Sequence, residues 1–382
     1  MKNNKRMMVL GGSFLQSIFI NKAVDLGFEL LVLDGNCDCY VSQWSNIKFI
    51  HADFSNYEQV KNIAIDYNPS MVYAPSNEIG NIIAAKLASV IGYSYNSIEV
   101  VQSSLDKKEQ RQIASNCDLL YSPGFIQFKG DLNEVERCLD YPMIIKPSKS
   151  SASRGVSSAC NRKELEVAIE TASEYLGIDG VIIVEEFLQG DQISVETVSV
   201  PGQHFIAGIT KEELSGQPYF IERSHKMNAE VHNKYFELVE QKVYQLLNEF
   251  GVMYGPCHIE LVVSQDKVAL IEIATRAGGW RDGLMACAGY GDYNERILNA
   301  YINKKINKVE GVLPRKYGLV NILMSPEDLS SVLLANDAGV LSKIYYNQKP
   351  PIAKPKNLIN AYGYAYMSSK ESLNDYALKN EL

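Results

Sequence analysis

This chain of 382 residues has no CxxC pair, no long apolar run, no low-complexity tract, no tandem repeat and no excess of basic charge. Its seven cysteines, at 37, 39, 117, 138, 160, 257 and 287, form an odd, irregularly spaced set. That excludes a disulfide framework or a regular zinc site and implies reduced, mostly buried thiols. Cys37 and Cys39 lie close together, but without a nearby histidine or further cysteine they are incidental. No stretch reaches the roughly 20 apolar residues of a membrane span. Lys2, Lys5 and Arg6 precede an apolar run, yet Gly11, Gly12 and Gln16 interrupt it and no small-residue cleavage site follows before Asp25, so a signal peptide is not expected. The expected compartment is the cytoplasm, with no membrane partner. A net charge of -8 and a pI near 5.3 argue against broad binding to nucleic acid. Small molecules are the expected partners.

What is present is globular material, 46% hydrophobic and 21% charged, long enough for two or three cores. Met7 to Leu10 reads as a strand ending in Gly11-Gly12-Ser13, followed by a helix through Phe14, Ile18 and Leu26 and a strand from Glu29 to Asp34. This is a βαβ unit with a glycine turn, although GGS lacks the full GxGxxG of a dinucleotide site. The alternation continues with strands at 46–51 and 70–74 and helices at 57–67 and 80–91, so the first hundred residues form one doubly wound α/β domain. Asn77-Glu78 either faces a cleft or caps the helix that follows.

Ser103 to Ala114 reads as a capped helix carrying charge on one side. Tyr121 to Gly124 marks a hinge. The strand Pro142 to Lys146 runs into PSKSSASRGV, a hydroxyl-rich loop ending in glycine whose N–H groups suit phosphate oxygens. An amphipathic helix over 161–176 and an apolar strand over 181–184 lead into EEFLQG. Two strands follow, at 193–200 and 204–210. The polar segment Gly216 to Asn228 reads as irregular, and the helix 234–250 carries an apolar stripe of Phe236, Val239, Val243, Leu246 and Phe250.

The densest stretch is HIELVVSQDKVALIEIATRAGGWRDG, residues 258–283. Alternating apolar residues at 259, 261 and 263, and again at 268, 270 and 273, predict a hairpin turning at 264–267. A loop of odd length centred on Asp266 would set Glu260 opposite Glu272 on one face. Opposed carboxylates repel unless a cation lies between them, and Mg²⁺ is the natural occupant; the alternative is a solvated face on which they never meet. Arg276, the pair Gly278-Gly279 and Arg281 add fixed cations and room for a ligand to approach the backbone. After Asn303 the chain turns more polar, with a strand pattern near 361–367 and a proline-rich loop at 349–355.

The order Glu, hairpin, Glu-Ile-x-x-Arg-x-Gly-Gly resembles the metal-binding signature of the ATP-grasp superfamily. Ala274 stands where that family usually has asparagine, which removes one ligand of a second metal ion. The resemblance implies α/β and α+β architecture: a doubly wound preATP-grasp domain over 1–102, an ATP-grasp domain over 103–305 with a small subdomain at about 118–184, and a C-terminal α+β domain over 306–382. It implies ATP held by Lys107, Lys146, Ser151, Ser153, Gly155, Glu185, Glu186, Phe187, Leu188 and Gln192. Mg²⁺, with Mn²⁺ as an alternative, would sit on Glu260 and Glu272. Lys146, Arg276 and Arg281 would stabilise charge during transfer, and Glu222, His225, Arg276 and Arg281 would contact substrate. A solvated loop is the alternative for the segment holding Glu222 and His225.

The implied reaction is that of carboxylate-amine ligases, with L-amino acid ligases the nearest branch: a carboxylate is activated as an acyl phosphate, an amine displaces the phosphate, and ADP is released. An amino sugar or a purine precursor is an alternative amine. Many such relatives are dimers, so a homodimer is a partner to expect. Two other classes stay open on the residues: a regulatory ATP-binding protein, given Ala274 and Gln192, and a nicotinamide-dependent oxidoreductase built on the N-terminal βαβ unit.

Overall fold

The computed structural model describes residues 5–217, 219–265, 267–306, 313–346, 349 and 358–378. Its first unit comprises β1 (Arg6–Leu10), α1 (Phe14–Asp25), β2 (Glu29–Asp34), β3 (Lys48–His51), α2 (Tyr57–Tyr67), β4 (Met71–Tyr73) and α3 (Glu78–Ile91). The four strands are parallel in the order β3-β2-β1-β4. Their near-continuous apolar runs follow from burial on both faces, and Met7, Val9, Leu33 and Val72 have no exposed surface. Asn77 caps α3 by accepting from the Gly80 N–H, and Gly92 ends the helix in the left-handed conformation.

The helix read over 103–114 begins only at α5 (Lys107–Ala114), and a separate short helix, α4 (Ile98–Ser103), precedes it. Asp106 caps α5 and breaks the run. Far from being a charged surface helix, α5 buries Lys107, Gln110 and Arg111. The small subdomain follows with β5 (Phe125–Gln127), α6 (Leu132–Cys138), β6 (Met143–Pro147), β7 (Ser157–Ala159), α7 (Arg162–Ser173) and β8 (Ile182–Glu186). Its antiparallel sheet runs β5-β8-β6-β7 over its own core of Met143, Ile145, Leu165 and Val184.

The remainder is organised by one sheet of eight strands: β9 (Asp191–Val200), β10 (Gln203–Leu214), β11 (Glu222–Met227), β12 (Gly255–Ser264), β13 (Lys267–Ala274), β14 (Tyr317–Leu323), β15 (Leu341–Tyr346) and β16 (Gly363–Ser369). Their order is β13-β12-β9-β10-β11-β14-β16-β15. Helix α8 (Ala229–Glu249) lays Tyr235, Val239, Val243 and Leu246 into the core beneath β9, β10 and β12. Helices α9 (Arg281–Ala288), α10 (Tyr293–Asn303) and α11 (Pro326–Asp337) complete the packing.

Several expectations change here. The segment read as irregular contains β11, which bridges β10 and β14 and so cannot be a solvated loop. The C-terminal strands β14, β16 and β15 extend the central sheet through β11. Only Cys39, Cys117 and Cys257 are buried, whereas Cys37, Cys138 and Cys160 are exposed. Asp266 and residues 350–355 of the proline-rich stretch lie outside the described residues. Among the described residues, no helix is long and apolar enough to cross a membrane.

Candidate active site

The β12–β13 hairpin pairs Glu260 with Glu272. Ser264 pairs with Lys267 and Leu261 with Leu270, a register that would set Ile271 opposite Glu260. An irregularity between Glu260 and Leu261 inserts Ile271 as an extra residue and restores the match between the two carboxylates. Lys107, at the start of α5, places Nζ 2.9 Å from Glu272 Oε2 and donates to the Ser150 carbonyl at 2.6 Å. One ammonium thus joins the hairpin to the hydroxyl-rich loop.

A second knot of charge lies beside it. Lys146 Nζ is 2.7 Å from Glu185, and Arg111 Nε is 2.8 Å from the same carboxylate. Arg111 also donates to the Ile271 carbonyl at 2.8 Å. All three side chains are almost wholly buried. Burial and the neighbouring Arg111 push the Lys146 ammonium down to about 8, with Glu185 opposing them. Glu186 accepts from the Tyr121 hydroxyl at 2.8 Å, tying the segment after β8 to the entrance of the subdomain.

These groups line one cavity of about 810 Å³, together with Ser151, Ser153, Phe187, Leu188 and Gln192. Gly155 is not among the lining residues; its positive φ of 72° turns the end of the loop.

The cavity continues to a third cluster, built around Arg281. Its guanidinium lies 2.6 Å from Glu212 Oε1 and 3.1 Å from Ser194 Oγ, and only 1% of the residue is exposed. Arg281 is therefore committed to the protein's own acids. Arg276 likewise pairs with Glu78 of α3 at 2.9 Å, so Glu78 faces the cleft while Asn77 caps the helix. His258 sits between Glu196, which it contacts through Nδ1, and Glu260, 3.2 Å from Nε2. Burial alone would lower this imidazole, but Glu196 and Glu260 raise it to about 10.

Glu222 differs from its neighbours. His225 Nε2 lies 2.7 Å from it, yet burial and Arg281 hold that imidazole well below its ordinary value, so it is neutral. Glu222 is thus a carboxylate of the cavity wall that faces no cation at hydrogen-bonding distance, and burial raises its pKa. His225 itself does not line the cavity; it backs Glu222 and stacks on Trp280, with ring centroids 5.7 Å apart. It is a support for Glu222 rather than a direct substrate contact.

Carboxylates of Glu212 on β10 and Glu260 on β12 come together beside the hairpin, while Glu272, held by Lys107, lies outside that group. Ligand atoms of Glu212, His258 and Glu260 lie within 4.8 Å of one another, and because both nitrogens of His258 are engaged, the carboxylates are the fitting donors. Glu212 and Glu196 have no readable sequence signal, since each looks like an ordinary acid on a strand. His258 has one: two residues before Glu260, it shares that residue's face.

Residues 139–283 match the model of the ATP-grasp domain. That span is an ATP-grasp domain. The formate-dependent phosphoribosylglycinamide formyltransferase of Wigglesworthia glossinidia brevipalpis is 26% identical to it over 285 residues, 72% of this chain and 70% of that protein. A D-alanine--D-alanine ligase of Flavobacterium psychrophilum is 26% identical over 239 residues, 59% of this chain and 71% of that protein. The crystal structure of an L-amino acid ligase from Bacillus licheniformis superposes with a TM-score of 0.81, covering 97% of this chain and 95% of that one at 17% identity. That last likeness shows the fold.

Proposed function

We propose that this ATP-grasp protein is an ADP-forming ligase that joins a small-molecule carboxylate to an amine. The observation that carries the reading is the meeting, in one cavity, of the Lys107–Glu272, Lys146–Glu185 and Glu260 groups with a half-buried acid, Glu222, that faces no close cation. ATP would lie between the β6–β7 loop and the segment 185–188, its phosphates toward Lys107 and Lys146. Glu260 and Glu272 would hold Mg²⁺, with Mn²⁺ as an alternative, which when bound neutralises phosphate charge. The substrate carboxylate oxygen attacks the γ-phosphorus, the bond from phosphorus to the β,γ-bridging oxygen breaks, and ADP leaves. The amine nitrogen then attacks the acyl carbon and phosphate departs. No protein nucleophile is required. Lys107 and Lys146 stabilise the charge that moves toward ADP, Arg276 adds to the field, and Gln192, which donates to Glu212 at 2.7 Å, would hydrogen-bond a ribose hydroxyl.

The far end of the cavity favours an amino acid over a phosphoribosylamine. Arg276 and Arg281 there each already face an acid, which leaves them poorly suited to binding a substrate phosphate. Glu222 offers an ammonium a partner, and Leu15, Ile79, Trp280 and Tyr364 supply apolar wall. The test is ADP release with Mg-ATP against a matrix of amino acids and small carboxylates, singly and in pairs, with phosphoribosylamines included. Release that needs a defined pair establishes the ligase. ATP binding without release over the whole matrix favours a regulatory protein, and stabilisation by NAD(P) but not ATP favours an oxidoreductase.

A further inference from the structure

The β6–β7 loop carries a cation that neither its sequence pattern nor the paired clusters account for. Arg154 lines the cavity, yet the acceptors it lies on are uncharged: Nε donates to the Ser151 carbonyl at 3.1 Å and a terminal nitrogen to Ser151 Oγ at 3.2 Å. The other lysines and arginines of the cavity wall are committed to carboxylates: Lys107 to Glu272, Lys146 and Arg111 to Glu185, Arg276 to Glu78, and Arg281 to Glu212. Among the described residues that line the cavity, Arg154 is the guanidinium without an acid at ion-pair distance.

The loop is shaped to present it. Ala152 and Ser153 adopt φ values of 59° and 57°, two consecutive non-glycine residues in the left-handed region, and Gly155 follows at 72°. Such backbone is strained for residues that carry a Cβ and persists only where surrounding contacts demand it. Those contacts are present: Ser150 Oγ donates to the Arg154 carbonyl at 3.0 Å, and the Leu358 N–H donates to the Ala152 carbonyl at 3.3 Å. The root of the loop is anchored where Lys107 bridges the Ser150 carbonyl and Glu272, beside the acids that face the reacting end of the nucleotide.

We infer that Arg154 is a catalytic residue of this ligase, exchanging its contacts with Ser151 for the terminal phosphate of ATP. The inference rests on the ligase reading above. A guanidinium has little to lose in leaving a carbonyl and a hydroxyl for a dianionic phosphate, whose oxygens match its fork of donors. Arg276 on Glu78 and Arg281 on Glu212 would each have to abandon a carboxylate first. Arg154 therefore distinguishes ATP from ADP, which lacks the group it grips.

The experiment measures equilibrium binding of Mg-ATP and Mg-ADP to the full chain, without carboxylate or amine so that ATP stays intact, for wild type, R154A and R154K. Charge-assisted hydrogen bonds of this kind correspond to roughly 10- to 100-fold in affinity. R154A should weaken ATP by that factor while ADP changes by less than about threefold, and R154K should recover part of the loss. Melting temperatures within a few degrees of wild type show that the variants fold. Equal weakening of ATP and ADP, or no weakening of either, overturns the role of Arg154 and leaves the ligase intact. A wild-type protein that binds no ATP overturns both.

Discussion

Glu260 and Glu272 face each other across a hairpin whose register is corrected by a single extra residue, Ile271. Neither acid can leave the shared face without the other losing its counterpart. Replacing either by glutamine keeps size but removes a charge on which the proposed Mg²⁺ site depends. ADP release should fall by roughly 100-fold or more in E260Q and in E272Q, the scale seen when one electrostatic partner of a transition state is removed. Melting curves should show both variants folded. Retention of more than a few per cent of turnover in E272Q would remove Glu272 from the metal site.

Lys146 carries its charge only below about pH 8. Nucleotide affinity should therefore decline as the pH rises through 8, because a neutral amine no longer attracts phosphate. Glu185 is the group that opposes this deprotonation. In E185Q the decline should begin at lower pH, and a titration of ATP binding from pH 6 to 9.5 reads the displacement directly. Identical profiles for the two proteins would detach Glu185 from Lys146.

His258, raised to about 10 by Glu196 and Glu260 against the cost of burial, carries a second pH dependence. Its folded value lies above the unfolded value of about 6.5. The stabilisation it contributes is complete below pH 6.5 and is lost progressively as the pH rises toward 10. Chemical denaturation of wild type and H258Q should thus give a stability gap that narrows between pH 6.5 and 10. A gap that widens in that interval contradicts a charged His258.

Glu222 faces the cavity with neutral His225 behind it. E222Q should raise KM for the amine-bearing substrate by roughly 10- to 100-fold, the scale of a lost charge-assisted hydrogen bond, with KM for ATP little changed. Initial rates with each substrate varied in turn separate the two. A rise confined to ATP would move Glu222 to the nucleotide end.

Gly278 is hemmed in more tightly than its place in a Gly-Gly pair suggests. A Cβ there would lie 2.6 Å from both Glu196 Oε1 and His258 Nδ1. G278A should displace that pair and lower turnover, with a loss of stability visible in the melting temperature. An unchanged melting temperature and rate would mean that the two side chains yield freely.

The opposition of Glu260 and Glu272 is legible because both acids lie in one short span whose alternation fixes a hairpin. Lys146 is legible because a strand feeds it into an obvious loop. The partners that hold these groups are not. Glu212 lies on β10 between Lys211 and Glu213, and such a charged triplet reads as solvated surface. Its burial comes from β11, a strand hidden by Gly216 and by the polar residues around His225. Arg111 looks like one charge among many on α5, and its contacts with Glu185 and the Ile271 carbonyl lie 74 and 160 residues away in sequence. Local periodicity carries no trace of partners so remote.

The eight-stranded sheet imposes an order on synthesis. Strand β11, which bears Glu222 and His225, takes β14 as its outer neighbour, and Arg223 of the same strand is clamped by Asp328 of α11 through two hydrogen bonds of 2.9 and 2.6 Å. A ribosome releases the hairpin and the nucleotide end well before those residues emerge. A nascent chain can therefore assemble its ATP-facing half early, while the strand bearing Glu222 keeps a bare edge until β14 arrives.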